Sequence, residues 1–224
     1  MATEEQSTAG VIVLDSIESA LADIRAGKMV IVVDDLDREN EGDMICAAEC
    51  ITPELVSFMC NKARGLICVS ITDERRKALD LPMMVRQNSS VHHTAFTVSV
   101  DLLGHGCTTG ISAHDRSKTI QALANPLTQP GELATPGHIF PLKAADNGVL
   151  SRRGHTEAAV DLARLAGFAP VGVLVEVLND DGSMARLPDL RKIADHLGMK
   201  LISIEDLVAF RLRNDRGINT PHSA

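Results

Sequence analysis

The sequence predicts a single domain of the α/β or mixed α+β class built on a layered sheet, and three observations carry that expectation. Short apolar, β-forming runs recur along the chain: MVIVV at 29–33, LICVSIT at 66–72, VGVLVEVL at 171–178 and KLISI at 200–204. Between them lie segments whose apolar residues follow helical spacing, so strands and helices interleave. The length of 224 residues, 45% hydrophobic and 23% charged with no internal composition break, supplies the core of one large domain rather than two small ones.

Taken in order, residues 1–13 read as a flexible polar tail, 14–213 as the folded domain and 214–224 as a polar C-terminal tail. Ile17, Leu21 and Ile24 share a helical face, Asp15 and Glu18 make a capping-box pattern, and Gly27 supplies the stop. A strand over 29–33 follows, then the loop DDLDRENEGD (34–43) and the apolar MICAAE (44–49). Thr52 can cap a helix that has Pro53 at its first position and Leu55, Phe58 and Met59 on one side. LICVSIT is a strand and DERRKALDL (73–81) a short helix. In TAFTVSVDL (94–102) Phe96, Val98 and Val100 alternate with Thr97 and Ser99, which predicts a strand with one polar face. TTGISAHDRSKTIQALA (108–124) is a Gly-containing turn feeding a helix. The next segment, NPLTQPGELATPGHIFPLKA (125–144), holds four prolines and two glycines and reads as an irregular loop. Helix 155–167, strand 171–178, turn 179–183, helix 187–198, strand 200–204 and helix 205–213 complete the alternation.

Composition removes several functions. With no Trp, no Tyr, five Phe and a net charge of −8, the chain has neither stacking platforms nor the basic surface that nucleic acid requires. GxGxxG and GxxxxGK[ST] phosphate loops are absent. Five cysteines without a CxxC pair suggest a reducing compartment. No apolar run is long enough to span a membrane and the N-terminus is polar and acidic, so the cytoplasm is the expected location, with no membrane partner.

Chemistry gathers at five places. The loop 34–43 carries seven charged side chains in ten residues, six of them acidic. Carboxylates held that close repel unless a divalent metal or the neighbouring Arg38 neutralises them, and oxygen ligands favour a hard ion such as Mg²⁺ or Mn²⁺. Its plain alternative is a solvated turn. In SRRGHTEAAV (151–160) Arg152 and Arg153 precede a helix start where free N–H groups and Thr156 form an anion site suited to phosphate. His155, following Gly154, could give a ring nitrogen to a metal shared with the acidic loop; a plain capped helix would look the same. His138 in TPGHIFP sits in a turn pinned by proline and glycine, a good mount for an acid or base. Glu176 is the one charge in an apolar strand, either on its solvent face or buried as a base. Thr108, Thr109 and Ser112 mark a second possible anion cradle. Together these are the equipment for metal-assisted enolisation of a small phosphorylated sugar. A sugar-phosphate aldolase or isomerase, and a non-catalytic sensing domain, would need much the same residues.

DDLDRENEGD, TAFTVSVD, TTGISAHDRSKTI, TPGHIFPLKA, RRGHTEAAVDLARLAGF, NDDGSMAR and ISIEDLVAFR, in that order across residues 14–213, resemble the 3,4-dihydroxy-2-butanone 4-phosphate synthase family of riboflavin biosynthesis. The resemblance implies a three-layer α-β-α sandwich, a homodimer with sites near the interface, and Mg²⁺ or Mn²⁺ as cofactor. It also implies the reaction. D-ribulose 5-phosphate gives 3,4-dihydroxy-2-butanone 4-phosphate and formate through enolisation, dehydration, skeletal rearrangement and loss of C4. By that resemblance Glu39 and His155 are the metal ligands, and His138, Glu176 and Asp43 share the catalytic roles. Arg38, Glu39, Asp43, Thr109, Arg152, Arg153, Gly154, His155, Thr156 and Glu176 contact substrate, with Arg152 preferred over Arg153 for the phosphate. Cys68 resembles a cysteine kept near the family's site, although a small core thiol is the simpler reading.

Overall fold

The computed structural model describes residues 12–215, so nearly all of both predicted tails lies outside the described residues. The strands are β1 (Val30–Val33), β2 (Gly42–Ala47), β3 (Cys68–Ile71), β4 (Val100–Leu102), β5 (Leu133–Lys143), β6 (Val171–Glu176) and β7 (Leu201–Ser203). The helices are α1 (Ile17–Arg25), α2 (Pro53–Phe58), α3 (Asp73–Ala78), α4 (Ala113–Ala124), α5 (His155–Leu165), α6 (Leu187–Leu197) and α7 (Ile204–Asp215). All seven strands join one mixed sheet in the order β4-β5-β3-β6-β2-β1-β7. Only β1·β7 and β3·β5 are parallel.

Alternation along the strands divides the core in two. Ile31, Met44, Val69, Val173 and Val175 pack with Val56, Ile120, Leu123, Leu190 and Ala194 from α2, α4 and α6. Val30, Val32, Ile45, Cys68 and Leu174 pack with Leu21, Ala158, Leu162 and Leu207 from α1, α5 and α7. The sheet is thus buried on both faces, and the α/β/α layering is the expected one. Apart from Asp43 and Glu176, the central strands β2 and β6 carry no charged residue for that reason. Among the described residues no helix is long and apolar enough to cross a membrane.

Three local expectations are corrected. The cap of α1 is Ser16, whose side chain accepts from the Ser19 N–H at 3.2 Å. Asp15 instead accepts from the Leu201 N–H at 2.9 Å and pairs with Arg191 and Lys200, tying the helix entry to β7. The segment 94–102 is regular only over β4, and its polar residues point inward: Thr97 and Ser99 are buried because they have partners. Thr97 Oγ1 donates to the Pro141 carbonyl at 3.1 Å and Ser99 Oγ accepts from the Gly137 N–H at 3.1 Å. The Pro-rich segment expected to be irregular contains β5, an eleven-residue strand. Pro136 is tolerated because it falls between Ala134 and Ile139, where the β4·β5 register shifts and no ladder donor is needed.

Candidate active site

The acidic loop joins two antiparallel neighbours, leaving β1 at Val33 and entering β2 at its partner Gly42. Asp34, whose side chain is wholly buried, shapes the loop from within. Its Oδ2 accepts from Arg38 Nη1 at 2.9 Å and from the Glu39 N–H at 3.0 Å, and its Oδ1 accepts from the Glu41 N–H at 2.8 Å. Arg38 Nη1 also pairs with Glu39 Oε2 at 2.9 Å. The outcome is a turn that carries Glu39 and Glu41 into a cavity of about 350 Å³. Register adds the next two carboxylates. Asp43 on β2 lies opposite Glu176 on β6, so both side chains emerge on the α5 face of the sheet at the same height.

The start of α5 supplies the rest. Gly154 is the N-cap, and His155 and Thr156 open the helix, both buried. His155 Nε2 lies 3.1 Å from the Val32 carbonyl oxygen, which can only accept, so Nε2 carries a proton. Nδ1 is therefore the nitrogen turned toward Glu39 Oε2 at 3.6 Å and Asp43 Oδ1 at 3.9 Å. Arg152 Nη1 enters the same cavity, held by Glu157 Oε2 at 2.7 Å, while its Nη2 donates to the His92 carbonyl at 2.9 Å. Glu157 is buried, and its other oxygen accepts from the Ala145 N–H at 2.9 Å. Glu176 Oε2 accepts from the Leu66 N–H at 2.9 Å. Cys68, Phe96, Leu142 and Leu174 form the apolar part of the wall.

Electrostatics follow from this crowding. Burial opposes the charge of Glu39, yet the hydrogen bond to His155 and the charge of Arg38 hold its carboxyl down at about 2. Asp43 goes the other way. Burial above all, reinforced by Glu176, Glu39 and Glu41 and opposed by His155, pushes it up to about 7. Glu41 is also raised, by burial and then by Glu39. Burial alone would depress His155, but Asp43, then Glu39 and Asp34, lift its imidazole to about 9. A field that favours a second proton at Nδ1 favours a divalent cation there equally well.

The residues fit such an ion. Ligand atoms of Asp34, Glu39 and His155 lie within 4.8 Å of one another. Both oxygens of Asp34 already serve Arg38 and two backbone N–H groups, so Glu39 and His155 Nδ1 are the freer donors. Asp43 Oδ1 is buried without a hydrogen-bond partner beside them, the kind of orphaned oxygen that a cation or its water shell satisfies. One or two carboxylates plus an imidazole, with positions left open, suit Mg²⁺ or Mn²⁺.

Of the residues singled out in the sequence, Arg38, Glu39, Asp43, Arg152, His155, Thr156 and Glu176 line this cavity, as does Cys68. Arg153 turns the other way, into a depression shared with Asp34, Asp35 and Glu205. Thr109 stands exposed on the loop before α4. The turn around it is no open anion cradle, because the Thr108 and Gly110 N–H groups already donate to Asp115 Oδ2, both at 3.0 Å. Ser112 is an ordinary cap, accepting from the Asp115 N–H. His138, on β5, lies outside the cavity and pairs with Asp101. In the sequence Asp34 is indistinguishable from its acidic neighbours, and neither Glu157 nor Asp101 stands out. An acidic residue in the first turn of α5 suggests only dipole compensation, and Asp101 carried no signal in its strand.

A model of the family described as 3,4-dihydroxy-2-butanone 4-phosphate synthase matches residues 18–210. The chain belongs to this family. Riboflavin biosynthesis protein RibBA of Cytophaga hutchinsonii is 63% identical over 202 residues, covering 90% of this chain and 50% of that protein. The 3,4-dihydroxy-2-butanone 4-phosphate synthase of Pseudomonas syringae pv. tomato is 55% identical over 204 residues, covering 91% of this chain and 55% of that protein. The chain thus spans about half the length of the curated relatives it matches. A crystal structure of a 3,4-dihydroxy-2-butanone 4-phosphate synthase in complex with two magnesium ions superposes with a TM-score of 0.87 at 44% identity. It covers 90% of this chain and 99% of that one. A cation-free form of such a synthase gives a TM-score of 0.85 at 42% identity, covering 91% of this chain and all of that one, 100%.

Proposed function

We propose that this chain, through a catalytic domain spanning 14–213, converts D-ribulose 5-phosphate to 3,4-dihydroxy-2-butanone 4-phosphate and formate in riboflavin biosynthesis, as a carbon–carbon lyase. The observation that carries the reading is the convergence of Glu39, His155 Nδ1 and the unpartnered Asp43 Oδ1 with Arg152 in one cavity. The proposed reaction balances. Water lost when the C1 hydroxyl leaves returns when C4 departs as formate, so substrate and products contain the same atoms.

Glu39 and His155 would hold a divalent ion, Mg²⁺ or Mn²⁺, which when bound supplies Lewis-acid polarisation of the substrate's carbonyl and hydroxyl oxygens. The Val32 carbonyl fixes the His155 tautomer so that Nδ1 is the ligand nitrogen. Arg152, with the free N–H groups opening α5 and Arg38 nearby, binds the phosphate and sets which carbon faces the carboxylates. Asp43 and Glu176, opposed across β2 and β6, can exchange protons with adjacent carbons of an extended sugar. Asp43, whose carboxyl burial raises above the usual range, is well placed to hold a proton. The apolar wall of Phe96, Leu142 and Leu174 limits water at the reacting carbons.

His138 belongs to the catalytic set in this proposal, and Thr109 to the substrate contacts, yet both lie outside the cavity. A homodimer with its sites near the interface accommodates this, and the exposed Leu66, Leu103 and Ile111 offer apolar surface for it. The cytoplasm is the proposed location. Ribulose 5-phosphate carrying ¹³C at C4 tests the reaction: label is expected in formate. Label remaining in a five-carbon product, or in a two- or three-carbon fragment, would place the chain among isomerases or aldolases instead.

A further inference from the structure

We infer that Asp101 is a positioning residue that fixes His138 as the Nδ1–H tautomer, leaving Nε2 as the nitrogen available for proton transfer. This rests on the reading of His138 as a catalytic residue, but its structural part stands separately. Asp101 grips His138 twice: Oδ1 accepts from the His138 backbone N–H at 2.9 Å and Oδ2 lies 2.7 Å from Nδ1. An ionised carboxylate has no proton to give, so the short contact requires the hydrogen on Nδ1. Among the described residues nothing hydrogen-bonds Nε2. The side chain of Asp101 is 15% exposed and that of His138 44%, so the carboxylate is the anchored member and the ring reaches outward.

The backbone is arranged around this pair. The β4·β5 register shifts between Val100 and Asp101, a local irregularity of the kind that re-aims a side chain. Gly110 sits at φ +87°, where a Cβ would collide with the Asp101 carboxylate, so the loop carrying Thr108 and Thr109 closes directly over that carboxylate. Ser99, one turn of the pleat away, holds the Gly137 N–H and steadies the residue before His138. The Gly110 loop and the strand carrying His138 therefore converge on one carboxylate, whose only ring partner among the described residues is His138. An aspartate needed solely to close a turn would be satisfied by the backbone N–H alone. Bidentate engagement of backbone and ring together sets both the position and the tautomer of a base.

The test is D101N with H138A beside it. Asparagine is nearly isosteric and can keep the bond to the His138 N–H, but its amide NH₂ donates to Nδ1 and drives the ring proton to Nε2. The expectation is a fall in kcat of about 10²–10⁴-fold. KM for ribulose 5-phosphate and affinity for Mn²⁺ should stay within about twofold, since D101N relocates a ring proton and removes none of the groups proposed to hold phosphate or metal. Nitrogen-15 NMR of the histidines in the wild-type protein reads the tautomer directly and needs no variant to fold. A His138 proton on Nδ1, moved to Nε2 in D101N, supports the assignment. A wild-type proton on Nε2, or a folded D101N with wild-type kcat, overturns it. Full activity in H138A would instead remove His138 from catalysis, while the NMR result would still report on the pair itself.

Discussion

Replacing Gly154 by alanine isolates the arginine geometry of the site. Gly154 caps α5 at φ −121° and ψ 162°, a conformation open to any residue, so the backbone accepts the change without strain. Helix capping loses about 0.5–1 kcal/mol, because alanine is a poorer N-cap than glycine. In a chain of this size that part alone lowers Tm by about 1–4 °C. The new methyl group would collide with the tip of Arg152 and crowd Glu157 and the tip of Arg38. Both arginine tips end flexible chains and can swing aside, so the fold survives, with a further loss of stability where Arg152 leaves the buried Glu157 carboxylate. Arg152 would leave its 2.7 Å contact with Glu157 and the position proposed for meeting phosphate. A hydrogen bond to a charged group contributes about 1.5–3 kcal/mol, and each 1.4 kcal/mol or so is tenfold in affinity. KM for ribulose 5-phosphate should therefore rise about 10- to 100-fold with kcat reduced far less. Formate release against substrate concentration, with a thermal melt of the same preparation, measures both. A folded G154A with unchanged KM would refute the placement of the phosphate beside Arg152.

Asp15 is held below the ordinary carboxylate range: burial opposes this, but the Leu201 N–H, Arg191 and Lys200 outweigh it. Its stabilisation is thus present above the unfolded-state value of about 4 and is lost as pH falls through the lower folded value. D15N should cost about 1–3 kcal/mol in urea unfolding at neutral pH, with the penalty shrinking in acid; a penalty independent of pH would contradict this. Burial pushes the Cys46 thiol up to about 12 and raises that of Cys68 too, whereas Cys60 is exposed. Alkylation of the native protein followed by peptide mass mapping should mark Cys60 first and Cys46 only after unfolding.

Much of the fold was legible because its periodicity is local. The strands 29–33, 171–178 and 200–204 and the helix after Thr52 declare themselves in consecutive residues, and Thr52 does accept from the Leu55 N–H as a cap should. What failed was decided at long range. Thr97 and Ser99 are buried because Pro141 and Gly137 on β5 satisfy them, which alternation alone cannot reveal. Asp15 left the cap of α1 for residues near 191–201. The site divides in the same way. The acidic loop and the RRGHT segment stood out by composition, but the pairing of Asp43 with Glu176 is a matter of sheet register. The opposite directions of Arg152 and Arg153 depend on Glu157, and the role of Asp34 on which backbone N–H groups surround it.

The central claim is that Glu39 and His155 hold the ion on which turnover depends. EDTA-treated protein should release no formate from ribulose 5-phosphate, and Mg²⁺ should restore it. E39A and H155A should remain silent at every Mg²⁺ concentration, bind Mn²⁺ weakly by electron paramagnetic resonance, and still unfold cooperatively. Formate at wild-type rates from either variant, or from the EDTA-treated protein, would contradict the account.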